Sequence, residues 1–276
     1  MSSRLKMTAR NAFWSYFSMF VSFGLQFISR TVFIYCLGEE YLGINGLFSN
    51  VLGVLSFAEL GIGTAINFCL YKPVAENNIE KIKSYMWYYK WAYRTIAVII
   101  TIIGLALIPF LNVLVKDPGN VGNIVIYYLI YLFNTVTTYF VSYKYSLVNA
   151  EQKNYIYTNV NLIISTSTII IQVIALVIWK NFLIYLLVAA IFGVFQKIFI
   201  CIYFNRLYPY LKEKNIEKLT KQEKSILITK IKALVIHKIG DVSVHQTDNI
   251  IVSAFVSTKM VGLLSNYNLR SEEHTS

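Results

Sequence analysis

Seven apolar runs, each long enough to cross a hydrocarbon core as a helix, leave this 276-residue chain one class of structure. They occupy residues 11–37, 44–70, 91–115, 121–143, 155–179, 182–205 and 234–257, and an eighth begins at Met260. A spanning helix needs about 20 largely apolar residues. Val, Ile and Phe are frequent enough for short windows to pass as strands. Run length decides for helix, because an open sheet in lipid leaves backbone N–H and C=O groups without partners. Composition agrees: 56% of residues are hydrophobic, 14% are charged and mean hydropathy is +0.54. Soluble domains carry about 25% charged residues, and a disordered or disulfide-stapled chain has neither this apolar content nor so few charges and cysteines. The three cysteines, Cys36, Cys69 and Cys201, lie far apart inside apolar runs and read as small packing residues.

The expected fold is an all-α, polytopic transmembrane helix bundle. Residues 1–205 form a first six-helix lobe and 206–232 a cytoplasmic basic connection. Residues 233–269 start a second lobe, with helix seven and the beginning of helix eight. The connection intersperses Ile216, Leu219, Ile226, Leu227 and Ile231 among charges, which fits either an amphipathic helix on the membrane surface or a solvated linker. The last seven residues, 270–276 (RSEEHTS), break from the preceding composition and read as a non-native tail, which makes the chain a fragment. The first run exceeds a signal-peptide apolar region and lacks a small-residue cleavage site, so it reads as a retained anchor.

Charge placement orients the bundle. Eighteen basic residues fall in the N-terminal segment and in the second-to-third, fourth-to-fifth and sixth-to-seventh connections, whereas the alternate loops hold three, Lys116, Lys180 and Lys259. That alternation is the positive-inside pattern, and it places the N-terminus in the cytoplasm. The formal charge of +11 thus follows membrane topology, and no nucleic-acid partner is expected. An ungapped overlay of residues 30–50 on 249–269 pairs Val32 with Ile251 and Gly43 with Gly262, a weak repeat of the kind parallel-repeat transporters carry.

Ionisable residues inside spans are the candidate functional groups, since a charge at a helix centre costs roughly 2.5–3.5 kcal/mol on insertion scales. Arg30, in the first run, cannot shed its proton; it either lines a polar cavity or snorkels to the outer interface. Glu59, in the second, is a counter-ion for Arg30 or a proton carrier. Lys238, Asp241, His245 and Asp248 step by 3, 4 and 3 residues and share one helical face. Such a stripe fits a water-filled path or an ion-pair ladder between two halves. Lys197 is open to snorkelling or to an inward role. Trp14, Trp87, Trp91, Trp179 and many tyrosines fall near run ends as interface anchors, and the polar run at 159–172 either lines the cavity or bonds a neighbouring helix. Nucleotide, metal and metalloprotease motifs are lacking, so no enzyme, metal or cofactor is expected.

Three stretches carry a resemblance. Residues 29–50 (SRTVFIYCLGEEYLGINGLFSN), and 55–66 (LSFAELGIGTAI) followed by LYKPVA at 70–75, resemble the N-terminal signature of polysaccharide-export flippases. HKIG at 237–240, TDNIIVS at 247–253 and VGLLSNY at 261–267 are similar to the start of that family's second half. These are the Wzx-type, lipid-linked oligosaccharide members of the MOP (multidrug/oligosaccharidyl-lipid/polysaccharide) exporter superfamily. The resemblance implies two six-helix lobes, alternating access and transfer of an undecaprenyl-diphosphate-linked oligosaccharide across the bacterial cytoplasmic membrane. Its implied partners are that lipid-linked diphosphate, membrane lipids and a coupling H+ or Na+. It also implies basic residues on the first helix of each lobe, a placement that Arg30 and Lys238 match. Asp241 and Asp248 depart from a purely cationic wall. The alternatives are a MATE-like cation or drug exporter of the same superfamily, whose cavity carboxylates and aromatics dominate, and a membrane-embedded polysaccharide polymerase or ligase, which needs a larger outer loop than any present here.

Overall fold

The computed structural model of the chain describes residues 3–55, 59, 62–115, 121–213 and 216–245, with side chains described between 8 and 234. The described residues form an all-α bundle: α1 (Ser3–Leu37), α2 (Glu39–Leu55), α3 (Ile62–Ala75), α4 (Ile79–Ala106), α5 (Leu111–Leu114), α6 (Ile124–Ala150), α7 (Asn154–Trp179), α8 (Phe182–Leu207) and α9 (Lys221–His245). Five stretches, Thr8–Leu37, Ile79–Ala106, Ile124–Ala150, Asn154–Trp179 and Phe182–Leu207, are long and apolar enough to cross a membrane. Their outer faces carry large exposed apolar side chains, such as Phe20 at 83% on α1, which suits lipid and not water.

Helix ends follow local chemistry. Asn78, Asn123 and Asn181 each cap a helix, with the side-chain oxygen accepting backbone N–H groups of the first turn. Lys180 closes α7 in a left-handed conformation, φ 46°, one residue before Asn181 opens α8. Pro109 lies in the short 3-10 turn that ends the α4 region, since proline cannot continue a helical ladder.

The boundaries depart from the sequence expectation in three places. Expected as one span, 44–70 is two helices, α2 and α3, with Glu59 between them. Gly63 lies at the start of the second and carries a helix penalty of about 1 kcal/mol. The third span begins at Ile79, not at 91, so that Lys81, Lys83 and Lys90 are helical residues and not loop residues. Of the 216–231 segment, left open between helix and linker, the part from Lys221 onward forms α9, while Ile216 and Leu219 precede it. That helix continues without interruption into the seventh run as far as His245.

Contacts between the connections sort them onto two ends. At one end Asn11 donates to the Gln152 carbonyl (2.9 Å) and accepts from the Tyr155 backbone (2.9 Å). There the Tyr208 hydroxyl donates to Glu151 (2.8 Å), Lys83 to Glu213 (2.8 Å), and Lys81 pairs with Glu223 (3.0 Å). All four basic connections meet there. At the other end Phe182, opening α8, packs against Phe33 of α1, Tyr41 of α2 and Tyr127 of α6. The α1 and α7 helices therefore run parallel, as alternating first and fifth spans must.

The start of α9 is pinned by a capping box. The Thr220 hydroxyl accepts from the Glu223 backbone (3.3 Å), and Glu223 accepts from the Thr220 backbone (2.8 Å). Partial burial pushes the Glu223 carboxyl up, but the Thr220 N–H, the Lys81 ammonium and the Thr220 hydroxyl outweigh it and hold the pKa below the ordinary 4.5. A depressed carboxyl stabilises the fold above its ordinary pKa and loses that contribution as pH falls through its folded value. Spin labels on α4 and α9 are therefore expected to give one narrow distance at neutral pH that broadens in acid. Glu223→Gln should broaden it at every pH. The pair, still about a quarter exposed, contributes under about 1 kcal/mol, so the change is local.

Candidate functional site

Arg30 lies on α1 where that helix meets α2, α7 and α8. It lines a small cleft of about 180 Å³ together with Gln26, Ser29, Asn45, Gln172 and Tyr185. Gln172, only 5% exposed, donates to the Tyr185 carbonyl at 3.0 Å, and Asn45 accepts from the Tyr131 hydroxyl. The cleft wall mixes these polar groups with Phe33, Leu42 and Ile169 and includes no carboxylate, and its amide and hydroxyl oxygens suit a guanidinium that only donates. Next along α1, Phe33 packs edge-on against Phe182 and Tyr185.

Glu59 belongs to a second cluster. Its carboxylate accepts from the Tyr93 hydroxyl, and Tyr89 donates to Tyr93 at 3.0 Å. Both phenols come from α4 and both are buried, at 3% and 1% exposed. Gly63 makes room for them: a Cβ there would stand 2.7 Å from the Tyr89 oxygen and 2.9 Å from that of Tyr93. Glu59 does not line the Arg30 cleft, so the two charges expected as counter-ions occupy different polar clusters.

Lys197 forms a third. Its ammonium turns from α8 into α6, donating to the Asn134 carbonyl at 3.0 Å and the Thr137 hydroxyl at 2.7 Å. The polar run on α7 also faces α8, where Gln196 donates to Asn161 at 2.9 Å. Helix-to-helix bonding thus accounts for Asn161, while Gln172 both bonds α8 and lines the cleft.

Lys238, Asp241 and His245 fall on the backbone of α9, at spacings that share one helical face. Their side chains, and Asp248 altogether, lie outside the described residues. Sequence inspection missed the buried tyrosines. Tyrosines read from the sequence as interface anchors by default, yet Tyr128 is 0% exposed and donates to the Gly104 carbonyl at 2.9 Å. The run bounds hid Tyr89 and Tyr93, since Tyr89 precedes the 91–115 run and Tyr93 stands two residues into it. Only the start of α4 at Ile79 puts them in mid-helix, where a phenol without water must find a protein acceptor.

Taken together, fold and sites define a multi-pass helical membrane protein with ionisable groups set inside its bundle. Comparison with protein-family models, curated proteins and solved structures returns no match.

Proposed function

We propose that this chain forms the first lobe, and the start of the second, of a flippase that moves an undecaprenyl-diphosphate-linked oligosaccharide across the bacterial cytoplasmic membrane by alternating access. The observation that carries it is Arg30, a permanent cation on an apolar helix, lining a polar cleft where four helices meet. It stands within the signature stretch that resembles the flippases. A diphosphate is held strongly by a cation in low dielectric, because Coulomb attraction grows as the dielectric constant falls. In this reading the N-terminus is cytoplasmic, and Lys238 supplies the matching cation from the second lobe.

The Glu59–Tyr93–Tyr89 cluster favours one second reading, a cation or drug exporter of the same superfamily, since carboxylates and aromatics are what such a cargo needs. Reconstituting the complete transporter in liposomes separates the two. Transfer of a labelled lipid diphosphate between leaflets, without uptake of a cationic dye, is the expected result. Dye transport without lipid transfer would reverse the assignment.

A further inference from the structure

A cavity of about 640 Å³ opens at the end of the bundle where the four basic connections meet, between α4, α6, α8 and the segment that follows α8. Its wall carries five basic side chains, Lys83, Lys90, Arg94, Lys144 and Lys212, against one carboxylate, Glu213. On α4, Lys83, Lys90 and Arg94 share one face, because steps of seven and four residues return to the same side of a helix. Lys144 comes from the end of α6.

These charges are not equally compensated. Lys83 is answered by Glu80 at 2.7 Å and Glu213 at 2.8 Å. Among the described residues, Lys90, Arg94 and Lys144 enter no ion pair with a carboxylate. Lys144 is only 6% exposed, and its ammonium donates to neutral acceptors, the Asn205 side chain at 2.7 Å and the Cys201 carbonyl at 3.3 Å. Lys90 lies within Coulombic reach of both Arg94 and Lys144. Topology accounts for lysines in water at a membrane face. It does not account for the Lys144 ammonium sunk in a cavity wall with Lys90 in Coulombic reach, an arrangement that costs free energy until an anion enters.

We propose that this cavity binds a phosphate ester carrying two or more negative charges. One guanidinium fork and two point-charge ammonium groups suit the several oxygens of a phosphate or diphosphate better than a single carboxylate. Arg94 is partly positioned for this by its guanidinium lying 5.5 Å over the Trp91 ring. The volume lies within the roughly 300–1,000 Å³ of small-ligand pockets. The phosphate comes from an anionic lipid headgroup or from a soluble phosphate compound, and both share this chemistry. The site is separate from the Arg30 cleft and needs no transport to be real.

The test uses the whole chain in nanodiscs, with inorganic pyrophosphate as probe followed by calorimetry. In phosphatidylcholine discs, saturable binding is expected, weakened about tenfold or more by Arg94→Gln or Lys144→Gln, the loss of a charge-assisted bond. Lys180→Gln, at the opposite end, should leave the affinity unchanged. Lys144→Arg retains the charge and should bind within a few-fold of the parent, which separates charge from folding. In discs of equimolar phosphatidylcholine and phosphatidylglycerol, weaker apparent pyrophosphate binding with lipid retained on native mass spectrometry assigns the site to a headgroup. Unchanged binding assigns it to a soluble phosphate. If neither pyrophosphate nor the anionic lipid binds saturably, or if binding survives Arg94→Gln combined with Lys144→Gln, the proposal is overturned.

Discussion

Arg30→Ala is expected, on the proposed flippase reading, to abolish surface polysaccharide while the protein still inserts and accumulates in the membrane. The side chain lies on the wall of a polar cleft and outside the main core cluster, so its loss opens that cleft without removing the packing that holds α1 to α7. On that reading, what disappears is a charge-assisted contact to the proposed diphosphate cargo. Such a contact is worth about 2–3 kcal/mol, or roughly 30- to 150-fold in affinity, and more where water is excluded. Lysine at the same position keeps the charge but not the planar fork, so Arg30→Lys should recover part of the export. Immunoblotting of membranes and quantification of surface glycan check both. Normal surface glycan in Arg30→Ala would remove Arg30 from the mechanism.

The second large effect is on stability, at Gly63. An alanine methyl group there would meet the phenol oxygens of Tyr89 and Tyr93 at 2.7 and 2.9 Å. Neither ring has room to retreat, since both are buried, they pack on each other with centroids 4.5 Å apart, and Tyr93 also packs on Tyr139. Overpacking of this kind costs about 1–3 kcal/mol, which exceeds the gain of about 1 kcal/mol from replacing a helical glycine. Gly104→Ala makes the contrast. Its nearest contact is tighter, 2.4 Å, but falls on Leu132 Cδ1, the far end of a side chain that can change rotamer. Thermal unfolding in micelles should therefore drop clearly for Gly63→Ala and less for Gly104→Ala. Adding Tyr89→Phe should restore part of the loss, because it removes the oxygen that stands in the way. Should Gly63→Ala unfold where the parent does, the close approach of α3 to α4 is not tight.

The apolar runs made the helices legible, because hydrocarbon tolerates no other open backbone. The ends were less so. The apolar run starts the third span at 91 and leaves Lys81, Lys83 and Lys90 in the connection before it. The Asn78 cap, whose side chain accepts from the Lys81 N–H at 3.1 Å, shows the helix beginning before them. That shift puts Lys83 and Lys90 on the helical face that Arg94 shares, and all three line the basic cavity, while Lys81 turns away to Glu223. Lys144 was likewise counted as a loop charge, and its burial against α8 is visible only in three dimensions.

Local physics written along the chain determined the class of fold, the alternation of basic connections and the short roster of ionisable residues inside apolar runs, since each depends on a residue and its near neighbours in sequence. Tertiary structure alone decided the company those residues keep. It put Glu59 with two tyrosines from α4 instead of with Arg30, aimed Lys197 at α6, and closed a basic cavity from helices far apart in sequence. The reason is that a charge in low dielectric takes whichever partner packing delivers, and packing is settled by side chains meeting across helices, which no periodicity along one helix records.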